Sequence, residues 1–305
     1  VARTCILLLA LLAACTPRPS RRALTITDDW GRAVALAAPA RRIVSLSPAT
    51  TELLFALGLG PEVVGRTRYG DWPPEARAVP DVGEGIGPSV EVVAARRPDL
   101  VLVYASAANR GAVSRLEAMG IQAAVFRLDL AADLDRAAVA IGVLAGAGAA
   151  ARGFVAAFDS SLRAVAAARA PRGRRPRVYV DVWPDPPMTV GRGSYLSQLV
   201  RLAGAENLFD DVAASSATVS LESIVARDPD AVLVVATDTA RRVDLAARPG
   251  WRAVPAVREG RVLVVDASLY ARPSPRLPLA AADLAARLAR LAPRAGSGAG
   301  RGAAP

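Results

Sequence analysis

Ser89-Val90-Glu91-Val92-Val93-Ala94-Ala95-Arg96-Arg97-Pro98-Asp99-Leu100-Val101-Leu102-Val103 is echoed later in the chain by Ser220-Leu221-Glu222-Ser223-Ile224-Val225-Ala226-Arg227-Asp228-Pro229-Asp230-Ala231-Val232-Leu233-Val234. In each copy a Ser can cap a short helix, and an acid falls in the first turn, where the helix dipole favours negative charge. Pro98 and Pro229 then stop the helix. The runs Leu100–Val103 and 231–235 are apolar at every position, as expected of strands buried on both faces of a parallel sheet. Each copy therefore reads as helix, Pro-Asp turn and central strand. Two such units, one in each half, predict two similar α/β lobes; a solenoid would need several repeats of short period.

Working outward, 305 residues suffice for two cores. A hydrophobic fraction of 52% with 5% aromatics means that much of the apolar content is Ala, so helices are expected and each large aromatic is informative. The net charge of +10 comes entirely from Arg, scattered without aromatic interleaving or a groove-reading motif, and a nucleic-acid partner is not expected. The chain has no His, which rules out a metal site built on imidazole. No Gly-x-Ser-x-Gly elbow and no phosphate loop followed by Lys occurs, and Gly83-Glu84-Gly85-Ile86-Gly87 lacks dinucleotide spacing, so the chain does not read as an enzyme.

Residues 1–15 pair a short basic start with an apolar run too short to span a bilayer, ending in Leu12-Ala13-Ala14-Cys15. Small residues before a Cys resemble the bacterial lipobox, making Cys15 the expected lipidation site, 16–23 a tether, and export the destination. The alternative is a plain secretory signal in which Cys15 has no special role.

An N-terminal α/β lobe is expected over 24–130, with two alternating strands around Asp28-Asp29-Trp30-Gly31, a buried strand at Arg42–Leu46 and a helix starting near Ser47. From Ala131 to Ala170 the spacing is helical and Pro-free, predicting one long helix or two abutting ones, although Gly142, Gly146, Gly148 and Gly153 each weaken it by roughly 1 kcal/mol relative to Ala. A C-terminal α/β lobe is expected over 174–292, with a helix at Ser194–Leu202, a loop at Asp266–Pro278 and a last helix at Leu279–Leu291; the Gly/Ala-rich residues 293–305 are expected to be a disordered tail.

The segments Ile43-Val44-Ser45-Leu46-Ser47-Pro48-Ala49-Thr50-Thr51-Glu52-Leu53-Leu54 and Tyr69-Gly70-Asp71-Trp72-Pro73-Pro74, with the doubled Glu/Pro-Asp unit, resemble the substrate-binding proteins of bacterial ABC importers. The resemblance runs from about Leu24 to Leu291 and points to the group that takes vitamin B12, haem and ferric siderophores. It implies two Rossmann-like lobes with parallel sheets joined by a single long backbone helix (a class III periplasmic binding protein), little hinge motion, and a ligand held between the lobes. It further implies that Glu91 and Glu222 dock on Arg residues of a permease dimer served by an ATPase. Complementing the helix dipole is the simpler role for both acids, and the two roles are compatible.

For the ligand, Tyr69 and Tyr104 match aromatic contact positions of cobalamin-binding members, and Trp183 lies next to another. Trp72, Tyr195 and Tyr270 fall in or beside the same set of loops after strands. Arg272 and Arg276 match a cleft segment that could bind amide, phosphate or propionate groups; the alternative for Arg276 is a cap on the last helix. Gly85 and Ser216 stand where cobalamin-binding members carry Trp, and Ala271 stands at an acidic cleft position. The implied cargo is cobalamin or a related corrinoid. Haem, ligated through Tyr69, Tyr104 or Tyr270, and a ferric siderophore are the alternatives.

Overall fold

The computed structural model describes residues 23–168, 174–237 and 243–291. The expected signal segment, Cys15 and the tail from residue 293 lie outside them.

The chain opens with the hairpin β1 (Leu24–Thr27) and β2 (Ala33–Leu36), then builds the first lobe from β3 (Ile43–Ser45), α1 (Pro48–Ala56), β4 (Val63–Arg66), α2 (Val90–Ala94), β5 (Leu100–Tyr104), α3 (Arg110–Ala118) and β6 (Gln122–Phe126). Its sheet is parallel throughout, in the order β4-β3-β5-β6. Helices α4 (Ala131–Leu144) and α5 (Gly148–Ala168) lead to the second lobe. There β7 (Arg177–Asp181), β8 (Trp183–Pro184), β9 (Pro187–Val190), α6 (Tyr195–Leu202), β10 (Glu206–Asn207), β11 (Ser216–Thr218), α7 (Leu221–Arg227) and β12 (Ala231–Ala236) follow in order. Then come α8 (Pro255–Arg258), β13 (Val262–Asp266), α9 (Ala267–Tyr270) and α10 (Leu277–Arg290). The second parallel sheet runs β10-β7-β12-β13, and β11-β9-β8 form a small antiparallel sheet.

The repeated unit makes equivalent structure in both lobes. Ser89 accepts the Val92 N–H at the start of α2, and Ser220 accepts that of Ser223 at the start of α7. After each helix one residue turns left-handed, Arg97 at φ 50° and Asp228 at φ 51°, immediately before the proline. The helix is thus ended by a left-handed turn that the following proline only reinforces. Asp99 then accepts the backbone N–H groups of Arg41 and Arg42, while Asp230 accepts that of Arg177, tying the foot of the neighbouring strand to the turn.

The strands of the repeat are buried on both faces. Leu100 and Leu102 of β5 enter a core shared by the two lobes, and Val101 and Val103 enter one private to the first. In β12, Ala231 and Leu233 join the shared core, while Val232 and Val234 face the second lobe's own cluster around Tyr179 and Trp251. Period-two alternation explains the split, since successive side chains leave opposite faces of the sheet.

The segment expected over 131–170 as one long helix or two abutting ones is two, and α5 is the long helix that leads from α4 into the second lobe. Gly146 sits at φ 71° in the break, Ala40 N–H caps the Leu144 carbonyl, and Gly142 passes so close to Ala151 that a Cβ would lie 2.6 Å from it. A left-handed residue cannot continue an α-helix, so the chain turns there. Helix α4 packs on β1 and α1 of the first lobe, and α5 on α6 and α10 of the second. Among the described residues no helix is long and apolar enough to cross a membrane.

Candidate functional site

Parallel sheets leave the carboxyl ends of their strands free to build a site. Here a cleft of about 520 Å³ is lined by Leu46–Ala49 after β3, Thr67 and Tyr69 after β4, Tyr104 at the end of β5, and Leu128 and Asp129 after β6. Glu84–Ile86 complete the first lobe's side, and Gly193–Tyr195, Ser215 and Ala271–Pro273 come from the second. Of the residues expected to meet a ligand, Tyr69, Tyr104, Tyr195 and Arg272 therefore come together. Tyr69 is 58% exposed at the rim. Tyr104 is half-buried and donates its hydroxyl to Asp129 at 2.6 Å. Burial, then the Asp129 carboxylate, pushes its ionisation up to about 12. Tyr195 is buried; desolvation, with Glu52 nearby, keeps its phenol protonated, and its hydroxyl has no hydrogen-bond partner.

The other four expected residues do not line the cleft. Trp72 stacks under the Arg276 guanidinium, 4.5 Å from its ring centroid. Trp183 is exposed on the β8–β9 hairpin and donates its indole N–H to the Asp185 carbonyl. Tyr270 is 1% exposed, with its hydroxyl committed to Asp283, so it is a core residue and not a cleft residue. Arg276 is both the N-cap residue of α10 and half of a buried ion pair. Its Nε and Nη2 donate to Glu52 at 2.8 and 2.7 Å, and Nη2 also donates to the Ser268 carbonyl.

Glu52 is the main residue that sequence reasoning missed. It was read only as part of a helix start, yet its side chain is 2% exposed and its partner lies in the other lobe. An acid directly before Leu53, Leu54 and Phe55, in a helix with no other charge, was the available signal. Arg272 donates to the Tyr69 carbonyl at 2.6 Å and lies 3.8 Å from both Glu52 and Asp71. Desolvation pulls its pKa below the usual guanidinium range, opposed by those two carboxylates. Asp129 and Asp71 were likewise not anticipated.

Away from the cleft, Glu91 and Glu222 project into solvent from the first turns of α2 and α7. Backbone N–H groups there, with Ser89 and Ser220, hold both carboxyls below the usual range. Glu91 also has Arg115 at 3.8 Å. Gly85, in place of an expected Trp, presses on the end of β3 so closely that a Cβ would sit 2.3 Å from the Leu46 carbonyl oxygen. Among the described residues no group of His, Cys, Asp and Glu is arranged to hold a metal ion.

A profile described as periplasmic binding protein matches residues 43–269. The chain belongs to the periplasmic binding protein family. As a periplasmic binding protein it is 32% identical, over 83% of its length and 82% of the relative's, to the uncharacterised ABC transporter substrate-binding lipoprotein YvrC of Bacillus subtilis. It is 31% identical to a vitamin B12-binding protein of Yersinia pestis, covering 83% of this chain and 88% of that one. A periplasmic haem-binding protein of Pseudomonas aeruginosa has the same fold, with TM-score 0.72, 26% identity and coverage of 81% and 92%. This periplasmic binding protein is therefore a substrate-binding transport receptor rather than an enzyme.

Proposed function

We propose that the receptor carries cobalamin or a related corrinoid in the interlobe cleft. The observation that carries this reading is the state of Arg272: it faces the cleft with donors to spare, while Glu52 and Asp71 balance the charge of the arginine pair. A ligand rich in neutral carboxamides suits such a group, and Tyr69 and Tyr104 offer ring faces to a flat macrocycle. Relatives named as vitamin B12-binding proteins, at 31–33% identity, support the same reading.

Delivery follows from the doubled unit. Glu91 and Glu222, one per lobe and both exposed, are the residues offered to a permease dimer with its ATPase, and Cys15 carries the lipid anchor that keeps the receptor at a membrane of the envelope. Haem is the second reading, favoured by the exposed Tyr69 phenol and by the haem-binding structural relative; Tyr104 is a poor iron ligand because its proton is held to about pH 12. A ferric siderophore would need free cations, and the cleft arginines are already balanced. Calorimetric titration with cyanocobalamin, haemin and a ferric hydroxamate separates the three. Tight binding of cyanocobalamin supports the proposal, and binding of either iron compound in its place overturns it.

A further inference from the structure

An arginine lining a cleft, with a second one behind it, ordinarily makes a receptor for carboxylates or phosphates. Here both meet acids from the opposite lobe. Glu52 of α1 accepts two hydrogen bonds from Arg276 and lies 3.8 Å from Arg272 Nη1. Asp71, in the loop after β4, lies 3.8 Å from Arg272 Nη2. These two carboxylates match the two cations, and a third, Asp266, also acts on Arg272, so the arginines carry no excess positive charge.

The arginines differ in how far they are used. Arg276 is saturated by Glu52 and the Ser268 carbonyl and stacks on Trp72. Arg272 makes one hydrogen bond, to the Tyr69 carbonyl, and its two acid contacts are too long to count as hydrogen bonds. Of the other carboxylates that line the cleft, Glu84 pairs with Arg68 at 3.1 Å, while Asp129 accepts only the neutral Tyr104 hydroxyl and keeps its charge. A primary carboxamide can accept from Arg272, the one member of the cluster that lines the cleft, without adding a charge beside Glu52 and Asp71. A carboxylate in the same place would gain Arg272 but meet two like charges and lose its own hydration.

We infer that Glu52 and Asp71 are specificity-determining residues that cancel the charge of the cleft arginines, so that the receptor selects a macrocycle with a neutral, amide-bearing periphery over the same macrocycle bearing carboxylates. The inference rests on the corrinoid reading above and deepens it.

The test titrates the full chain, in detergent and at low ionic strength, with two matched pairs: cyanocobalamin and its monocarboxylate with one side-chain amide hydrolysed, and haem dimethyl ester and haem. The readout is the ratio of dissociation constants within a pair, followed by Trp quenching. The wild type should favour the neutral member by about tenfold, and Asp71→Asn should move the ratio at least about threefold towards the acid, as expected of one charge removed near the site. Glu52→Gln should move it further. Asp71, with its side chain 42% exposed, keeps the test decisive even where Glu52→Gln does not fold. A wild type indifferent to charge, or a ratio unmoved in folded variants, overturns the filter and leaves the corrinoid reading standing if cyanocobalamin binds. Selection of the neutral ester within the porphyrin pair alone, moved by the substitutions, keeps the filter and overturns the corrinoid reading. Binding of none of the four overturns both.

Discussion

Replacing Arg276 by Met strips Glu52 of its bidentate partner while keeping most of the side-chain volume. The carboxylate stays where it is, with a side chain 2% exposed, and its nearest remaining cation is Arg272 at 3.8 Å. Breaking a buried pair from one side costs about 3–5 kcal/mol. Residual attraction to Arg272 pulls the expected loss to the lower half of that range, and losing the stack on Trp72 adds about 0.5–1 kcal/mol. About 4 kcal/mol is therefore expected, which for a chain of this size lowers Tm by about 6–7 °C. The double variant Glu52→Gln/Arg276→Met removes both charges and should recover at least half of the loss, because the cost lies in the stranded carboxylate rather than in the absent bridge. Urea denaturation followed by Trp fluorescence measures both. A single variant within about 1 kcal/mol of wild type, or a double variant no better than the single, would refute the argument.

Three further outcomes are expected. Since the Tyr104 phenol is raised to about 12 from the usual 10 by burial and Asp129, its contribution to stability is complete below pH 10 and is lost as pH rises towards 12. Tyr104→Phe should therefore flatten the alkaline loss of stability, and identical profiles for the two proteins would count against it. Gly85→Ala forces a methyl against the Leu46 carbonyl and should destabilise the fold by about 1–3 kcal/mol in thermal melts. Charge reversal at both Glu91 and Glu222 should leave ligand affinity unchanged and abolish uptake in a reconstituted importer; normal uptake would remove the docking role.

Much of the fold was legible because it depends on local chemistry repeated in two places. The Ser caps, the Pro-Asp turns and the doubly apolar strands all formed as their residues require, and they set two parallel sheets side by side. The linker was less legible. Its glycines look alike in sequence, and only Gly146 takes the left-handed conformation that ends α4. At the site, loop position brought Tyr69, Tyr104, Tyr195 and Arg272 to the cleft but could not say which way a side chain turns. Tyr270 follows β13 as expected and points into the core, where Asp283 takes its hydroxyl. Glu52 was hidden because its partner is 224 positions away, and no periodicity registers a contact between lobes. Trp183 lies on a local hairpin whose second strand also pairs with β11, a contact that the hairpin's own residues do not announce.

The measurement that bears most directly on the central claim is a competition: the full chain is mixed with equimolar cyanocobalamin and haemin, separated from free ligand, and its absorption spectrum recorded. The account predicts a spectrum of bound corrinoid at one per chain, with Tyr69→Ala and Arg272→Ala each retaining much less. A spectrum of bound haem carrying a phenolate-to-iron band that disappears in Tyr69→Phe would contradict it.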